Sequence, residues 1–292
     1  MNNSELLNQP GATAICIIGA GTMGSGIAQV AAQSGFNTIL YDVDINILEK
    51  AKLSIQTNLQ QLADKQKISS VEKETIFNSI KFSNNIKDCV ANIIIEAIIE
   101  NAEAKTAIFN RLAAINKTDT VFATNTSSLS VTKIQTKIKN PERVIGMHFF
   151  NPAQLMKLVE VISAGQTNEQ TIKIIFGLAK RLGKTPVLCK DSPGFIVNRI
   201  ARHYYLEAMK LVENGFATIE NVDAVMEASG FKMGPFKLMD LIGIDINLAV
   251  SKSIYQSFNQ QERFKPSQLQ IDKVTNGELG KKTGKGFYNY TL

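Results

Sequence analysis

Two side chains that could exchange a proton lie twelve residues apart in the segment GMHFFNPAQLMKLVEV, residues 146–161. His148 is one of only two histidines in the chain, and its apolar run stops at an Asn-Pro pair before a second apolar run leads to Glu160. Asn-Pro is typical of a turn, so the two runs predict a pair of antiparallel strands. Since His148 and Glu160 are equidistant from Gln154, such a pairing would place them opposite each other.

An imidazole held against a carboxylate is suited to general acid–base catalysis near neutral pH. The carboxylate of Glu160 would fix the tautomer of His148 and stabilise its protonated form. The alternative is a structural histidine, because a lone histidine beside an apolar strand more often serves packing. His203, in the helical segment IARHYYLEAMK, is predicted to be such a structural or interfacial residue.

A glycine turn near the N-terminus offers a second chemistry, the binding of phosphates. Gly19, Gly21 and Gly24 form the pattern G-x-G-x-x-G, which follows an apolar run and opens a helical one. The first glycine permits a tight turn, the second lets a pyrophosphate approach the backbone, and the third lets helix and strand pack closely. The N–H groups at the start of the helix, at Thr22 and Met23, would then face the phosphates.

Asp42 ends the next apolar run, NTILYDVD, and gives the glycine turn its usual context. A carboxylate there would accept hydrogen bonds from the adenosine ribose and repel a 2′-phosphate, so the pattern predicts NAD rather than NADP. FAD uses the same turn, but no second segment suits a flavin ring. A glycine turn that serves packing alone is the remaining alternative.

The glycine turn, Asp42 and His148 can act on one ligand only if a sheet brings the ends of their strands to the same edge. Apolar runs alternate with helical patterns, which predicts a largely parallel sheet covered on both faces, the α/β, Rossmann-like dinucleotide-binding fold. The segment FATNTSSLS would carry Asn125 and Ser127 to the carboxyl edge, where such sheets bind ligands. Strands are also predicted at NIIIEAI, RVIGMHFF, KLVEVIS and TPVLCK, and helices at 45–78 with a break near KISSVE, at 102–115 and at 168–182.

The pattern changes near residue 190. Ser192 suits a helix N-cap and Pro193 suits the first helical position, so a long helix is predicted to start there and to end near Gly215. Helical patterns then continue to the C-terminus. We therefore predict a Rossmann-like domain over 1–190 and a mainly helical domain over 191–292.

Composition narrows the classes of function. With 292 residues and 44% hydrophobic residues, the chain is typical of a soluble globular protein, and its net charge of +6 comes from dispersed lysines, which argues against a nucleic-acid partner. Carboxylates break the most apolar stretch, ANIIIEAIIE, and residues 1–12 resemble a polar tail rather than a leader, so we expect a cytoplasmic protein without a membrane partner. The three separated cysteines, Cys16, Cys89 and Cys189, favour buried reduced thiols in strand-like runs over disulfides or a metal site.

Taken together, these segments resemble the short-chain L-3-hydroxyacyl-CoA dehydrogenases, which include the bacterial 3-hydroxybutyryl-CoA dehydrogenases. The resemblance spans nearly the whole chain, through GAGTMGSGIA, EAIIEN, NTSSLS, HFFNPAQLMKLVEV, DSPGFIVNR and KKTGKGFYNY. It implies NAD-dependent interconversion of (S)-3-hydroxyacyl-CoA and 3-oxoacyl-CoA, with short chains such as 3-hydroxybutyryl-CoA and acetoacetyl-CoA. Such enzymes serve fatty-acid and butyrate metabolism.

The resemblance also implies roles for single residues. His148 would be the catalytic base and Glu160 its partner, while Ser127 and Asn198 would bind or polarise the substrate's oxygen atoms. The family's helical domain forms a dimer contact, so a homodimer is expected. The other implied contacts are with the cofactor and with CoA: Glu100, Lys105 and Asn125 at the nicotinamide and its ribose, and Lys65 at the CoA phosphates.

Three other functions remain open from the sequence. Ser127, His148 and Glu160 could form a hydrolase triad, although the chain lacks the G-x-S-x-G elbow of many hydrolases. A sensor could bind NAD without catalysis. An NAD-dependent dehydrogenase could also act on a free hydroxy acid such as L-gulonate.

Overall fold

The computed structural model describes residues 13–291, so the predicted polar tail at 1–12 lies outside the described residues. The chain forms two compact units, which divide between Asp191 and Ser192. The first unit contains the strands, and the second is built from helices.

An eight-stranded sheet forms the centre of the first unit, in the spatial order β3-β2-β1-β4-β5-β6-β7-β8. All neighbouring strands are parallel except β6 and β7, which are antiparallel. The predicted α/β, Rossmann-like class is therefore confirmed. The strands are β1 Ala14–Ile18, β2 Asn37–Tyr41, β3 Ile80–Ser83, β4 Ile93–Glu96, β5 Val121–Thr124, β6 Val144–Phe149, β7 Leu158–Ser163 and β8 Thr185–Lys190.

Helices cover this sheet, and its central strands are therefore buried along their length. Every residue of β4, β5 and β6 is buried, as a parallel sheet with two covered faces requires. The helices of this unit are α1 Thr22–Gln33, α2 Ile45–Asp64, α3 Ser70–Asn78, α4 Ala102–Ala113, α5 Val131–Gln135 and α6 Glu169–Arg181.

The predicted break in the helical stretch after β2 is confirmed. It lies between α2 and α3, where Ser69 caps the new helix by accepting from Glu72 N while the Glu72 carboxylate accepts from Ser69 N. Strand β3 was not predicted. It has only four residues, IKFS, and its lysine is exposed, so the run carries little of the apolar signal of a strand.

The cysteines depart from the prediction of three buried strand thiols. Cys16 is buried in β1, but Cys89 is buried outside any strand and Cys189 is only half-buried, because β8 is an edge strand. The hydrogen bond with Cys89, together with burial, raises the pKa of Cys16 well above its ordinary value. All three are free thiols.

The second unit is helical, as predicted. Its core is formed where Tyr205, Leu206 and Met209 pack with Phe236 and Met239. Its helices are α7 Val197–Glu213, α8 Ile219–Ala228, α9 Pro235–Ile242, α10 Ile244–Ser257 and α11 Gln268–Thr275.

The predicted start of the first long helix was wrong. Helix α7 begins at Val197 rather than at Pro193, because Gly194 (φ 74°) and Phe195 (φ 48°) adopt left-handed backbone conformations that a right-handed helix cannot include. The predicted end is confirmed, since Gly215 (φ 71°) lies two residues beyond the last helical residue, as expected of a C-terminal glycine.

Asp240 in α9 holds the C-terminal segment of the second unit. The side chain is 1% exposed, and its two oxygens accept from Phe287 N, Tyr288 N and the Tyr290 hydroxyl, each at 2.9 Å. Burial and this hydrogen bond raise the pKa of Tyr290. The segment after α11 is thus fixed by one buried carboxylate.

We predict that Asp240→Asn lowers the free energy of unfolding by about 1–3 kcal/mol, because the new amide places a donor against backbone and hydroxyl donors. Denaturant titration measures the change. Asp272→Asn, at an exposed position on α11, is the matched control and should change it little. Equal stabilities of the two variants would contradict the assignment.

Candidate active site

The glycine turn joins β1 to α1 with a close backbone contact. A Cβ atom at Gly24 would lie 1.7 Å from the carbonyl oxygen of Gly19, whereas a Cβ atom at Gly21 would have no heavy atom within 4 Å. Gly19 itself has a φ of 97°. The first and third glycines are therefore required by the turn and by packing, while the second faces open space.

That open space belongs to a cleft of about 420 Å³ at the N-terminus of α1. Gly21 and Thr22 line it from the glycine turn, and Lys50 and Ser54 line it from α2. No side chain caps the N-terminus of α1, so the first N–H groups of the helix are available to an anion. The cleft therefore fits the pyrophosphate of a dinucleotide.

Asp42 lies directly after β2 and is tied to the glycine turn. Its Oδ2 accepts from Ala20 N at 2.8 Å, and its Oδ1 accepts from Asp44 N at 3.0 Å. Each carboxylate oxygen has two lone pairs, so these contacts leave capacity for ribose hydroxyls. The position and chemistry of Asp42 fit the predicted contact with an adenosine ribose.

The predicted pairing of the histidine with the glutamate is confirmed. His148 on β6 and Glu160 on β7 are partners in the antiparallel register, and His148 Nδ1 lies 2.8 Å from Glu160 Oε2. Both residues are buried, at 6% and 1% exposed. The contact assigns Nδ1 to the carboxylate, so Nε2 is the nitrogen suited to proton exchange with a ligand.

His148 lies at the carboxyl edge of the sheet, together with the other polar groups. Strand β6 is parallel to β5, so its end shares an edge with the glycine turn after β1 and with the loop after β5. Asn125, directly after β5, accepts from Phe149 N at 2.8 Å and joins the ends of the two strands. A ligand bound at this edge could meet all of these groups.

Glu100 organises the serine-containing loop after β5. Its Oε1 accepts from the Thr126 hydroxyl at 2.6 Å, from Ser127 N at 2.9 Å and from Ser128 N at 3.1 Å. These bonds and Lys105 lower the pKa of Glu100, although burial acts in the opposite direction and is the largest single effect. Glu100 is thus an anion that fixes the position of Ser127.

Lys105 on α4 is fully buried and contacts Glu100. Its Nζ is 2.6 Å from Glu96 Oε1 at the end of β4 and 3.3 Å from Glu100 Oε2. Glu96 also accepts from the Thr124 hydroxyl at 2.6 Å. Burial raises the pKa of Glu96, and Lys105 is the strongest of the groups that oppose this rise. In this structure, Lys105 supplies the positive charge that pairs with both carboxylates.

Sequence reasoning missed Glu96 and Thr124. In the sequence, Glu96 is visible only as a charge that breaks the apolar run NIIIEAI. A charge within an otherwise buried strand signals a buried partner of opposite charge, but it does not identify which residue supplies that charge.

The remaining predicted site residues are Lys65, in the first unit, and Asn198, in the second. Lys65 is the exposed C-cap residue of α2. Asn198 lies in the first turn of α7, in the second unit. His203, on the same helix, packs its ring 5.2 Å from Phe264, which suits a structural role. The roles of Lys65 and Asn198 stay predictions.

Comparison with known proteins identifies the family of this arrangement. Residues 14–192 match the family described as "3-hydroxyacyl-CoA dehydrogenase, NAD binding domain", and residues 194–290 match "3-hydroxyacyl-CoA dehydrogenase, C-terminal domain". The chain belongs to the 3-hydroxyacyl-CoA dehydrogenase family. The predicted family and the predicted NAD cofactor are therefore confirmed.

Two curated relatives differ in the acyl group that they are named for. "3-Hydroxyadipyl-CoA dehydrogenase" of Escherichia coli K12 is 43% identical over 281 residues, which are 94% of this chain and 58% of that protein. The chain thus spans less than two thirds of the length of that relative. "Probable 3-hydroxybutyryl-CoA dehydrogenase" of Deinococcus radiodurans is 41% identical over 276 residues, which are 94% of this chain and 99% of that protein.

Two solved structures share the fold of the chain. The crystal structure of 3-hydroxybutyryl-CoA dehydrogenase from Escherichia coli K12 has a TM-score of 0.93 at 43% identity, and the match covers 95% of this chain and 59% of that one. The structure of (S)-3-hydroxybutyryl-CoA dehydrogenase PaaH1 from Ralstonia eutropha has a TM-score of 0.92 at 37% identity, with 96% and 99% covered.

We predict that two glycine-to-alanine variants separate packing from cofactor binding. Gly24→Ala should lower the melting temperature markedly, because its Cβ would overlap the Gly19 carbonyl. Gly21→Ala should fold normally and weaken NADH binding about tenfold or more, because its Cβ would project toward the pyrophosphate. Thermal unfolding and NADH fluorescence titration measure the two effects. Unchanged NADH affinity in Gly21→Ala would contradict this placement of the pyrophosphate.

A second prediction concerns the buried ion pair. Lys105→Met should lower the free energy of unfolding by about 3–5 kcal/mol, because it leaves Glu96 buried without a counter-charge. The double variant Lys105→Met with Glu96→Met should recover much of that loss, since apolar replacements remove both charges. Denaturant titration of the two single variants and the double variant tests this coupling. Additive losses would show that the two residues act independently.

Proposed function

We propose that the protein interconverts short-chain (S)-3-hydroxyacyl-CoA and 3-oxoacyl-CoA with NAD as the hydride carrier. The observation that carries the proposal is the buried contact of 2.8 Å between His148 Nδ1 and Glu160 Oε2, at the sheet edge that also holds the glycine turn. The match of both units to the 3-hydroxyacyl-CoA dehydrogenase family supports it. The names of the relatives support an acyl-CoA substrate of short chain length.

His148 acts as the general base in the oxidising direction. Its Nε2 accepts the proton of the C3 hydroxyl, and the same nitrogen returns the proton when a 3-oxo group is reduced. NAD, when bound, supplies the acceptor or donor of the hydride. Glu160 stabilises the imidazolium that forms, and it keeps the ring in the orientation that presents Nε2.

Ser127 and Asn198 are proposed to contact the C3 oxygen. The position of Ser127 is set by Glu100, which accepts from its backbone N–H and lies 3.4 Å from its hydroxyl. Asn198 comes from the first turn of α7 in the second unit. The charge on the C3 oxygen changes during the reaction. Hydrogen-bond donors that are already in position around this oxygen lower the activation barrier, because they do not have to reorganise.

Glu100, Lys105 and Asn125 are proposed to border the nicotinamide and its ribose. Of these, Glu100 has a side chain that is 35% exposed and Lys105 one that is fully buried, so Glu100 makes the contact and Lys105 acts through it. Lys65, exposed at the end of α2, is proposed to meet the CoA phosphates.

The assembly and location are also proposals. Exposed apolar side chains of the second unit, including Phe216, Val225 and Phe231, support a homodimer formed through that unit. Between residues 13 and 291, no helix has the length and apolar character needed to cross a membrane. The bacterial relatives support a cytoplasmic enzyme.

We predict that wild type oxidises NADH rapidly with acetoacetyl-CoA and that His148→Gln lowers kcat by about 10²–10⁴-fold. NADH affinity should stay unchanged, because the substitution removes the base and not the dinucleotide site. His203→Gln is the matched control, since the second histidine packs against Phe264 and should be dispensable for activity. Comparable activities of the two variants would contradict the assignment of the base.

The same assay tests the other candidate functions. NADPH in place of NADH should support little turnover, because Asp42 repels a 2′-phosphate. Free acetoacetate in place of acetoacetyl-CoA should also react poorly. Equal turnover of thioester and free acid would favour a dehydrogenase of free hydroxy acids, and tight NADH binding without any turnover would favour a sensor.

A further inference from the structure

Arg202 is a buried cation in the second unit that the proposed mechanism does not use. It lies on α7 and is 2% exposed. Its Nη1 donates to Asn247 O at 2.9 Å, to Asn247 Oδ1 at 3.0 Å and to Ser251 Oγ at 2.6 Å. All of these acceptors are uncharged. Within residues 13–291, no carboxylate forms a salt bridge with Arg202.

A buried cation without a counter-charge is costly, so its presence calls for a compensating interaction. Burial lowers the pKa of Arg202 to about 10, which reflects this cost, and the guanidinium remains charged at neutral pH. The ring of Tyr205, 4.9 Å away, compensates for part of the cost through its π face. It does not supply a full negative charge.

One edge of the guanidinium lacks an acceptor. The three hydrogen bonds surround Nη1, whereas Nε is buried and has no hydrogen-bond partner in the described chain. A carboxylate binds arginine best through two parallel hydrogen bonds along one edge. The edge that carries Nε is therefore chemically suited to a carboxylate.

The position of Arg202 connects it with the substrate. Arg202 follows Asn198 by four residues on α7, so the two lie on the same face of the helix, about 6 Å apart along its axis. Under the proposed function, Asn198 contacts the C3 oxygen of the acyl group. The end of a short acyl chain lies a few bonds beyond C3, and one helical turn separates the two side chains that would meet these two parts of the substrate.

We propose that Arg202 binds a carboxylate at the far end of the acyl chain, so that the enzyme accepts 3-hydroxyacyl-CoA thioesters of dicarboxylic acids. This inference rests on the proposed function and deepens it by naming a substrate class. Because Arg202 is shielded from water, a carboxylate that reaches it forms a strong charge-assisted hydrogen bond. The name of one relative, 3-hydroxyadipyl-CoA dehydrogenase, describes a thioester of such an acid.

The test compares two six-carbon substrates that differ only at the chain end. Wild type is assayed by NADH oxidation with 3-oxoadipyl-CoA, which ends in a carboxylate, and with 3-oxohexanoyl-CoA, which ends in a methyl group. We expect kcat/KM to be about 10- to 100-fold higher for 3-oxoadipyl-CoA. Equal values of kcat/KM for the two substrates in the wild-type enzyme would overturn the proposal about Arg202, whereas the proposed function would still stand. Failure of both substrates and of acetoacetyl-CoA would instead reject the proposed function.

The variants locate the preference in one side chain. Arg202→Met should abolish the preference for 3-oxoadipyl-CoA while it retains turnover of 3-oxohexanoyl-CoA, and Arg202→Lys should keep part of the preference. Arg263→Met, an exposed arginine that stacks on Phe264 in the same unit, is the matched control and should keep all of it. A lower melting temperature of Arg202→Met with an unchanged substrate ratio would show a purely structural arginine and would overturn the proposal.

Calorimetry supplies a readout that does not involve turnover. Wild type with bound NADH should bind adipyl-CoA about 10- to 100-fold more tightly than hexanoyl-CoA, because neither ligand carries the 3-oxo group and the two differ at the chain end alone. Arg202→Met should bind the two ligands equally. Equal affinities in wild type would contradict the proposal.

Discussion

Lys105 and Glu96 form a buried ion pair that holds the candidate active-site edge of the sheet together. The pair joins α4 to the end of β4, and Thr124 on β5 donates to the second carboxylate oxygen. Because neither charge can lose its partner without a large cost, both strand ends and the helix keep one arrangement. The same lysine reaches Glu100, whose carboxylate sets the loop that carries Ser127. The buried ion pair thus fixes, through Glu100, the conformation of the loop that carries Ser127.

The antiparallel pairing of β6 and β7 adds the acid–base pair to the site. Parallel strands bring the glycine turn, Asn125 and His148 to one edge, as expected of this fold. If the next strand along the chain were parallel to β6, it would need a long crossover connection. The antiparallel β7 instead returns after a short connection and places Glu160 directly beside His148. The site therefore combines a dinucleotide-binding edge with an acid–base pair made by a local turn.

Much of this arrangement could be predicted from the sequence, because its signals are local. The Asn-Pro turn between two apolar runs gave the register of His148 and Glu160, and the context of the glycine turn indicated the dinucleotide site. The partnership of Glu96 with Lys105 could not be predicted with the same reasoning, because it joins a strand end to a helix interior. The late start of α7 was also hidden, since Phe195 adopts a positive φ that its residue type does not suggest.

The position of Glu160 has a consequence for how this protein can change over evolutionary time. Glu160 is paired on both sides, with His148 on β6 and with Val187 on β8, so β7 is held between two ladders. A one-residue insertion within β7 would turn the carboxylate to the opposite face of the sheet, and two neighbouring strands oppose that slip. The connection at 150–157 lies outside both ladders, but it is anchored as well, because Ala153 is buried in the core and Lys184 Nζ donates to Met156 O at 2.9 Å. Changes in length are therefore opposed along the whole segment from His148 to Glu160.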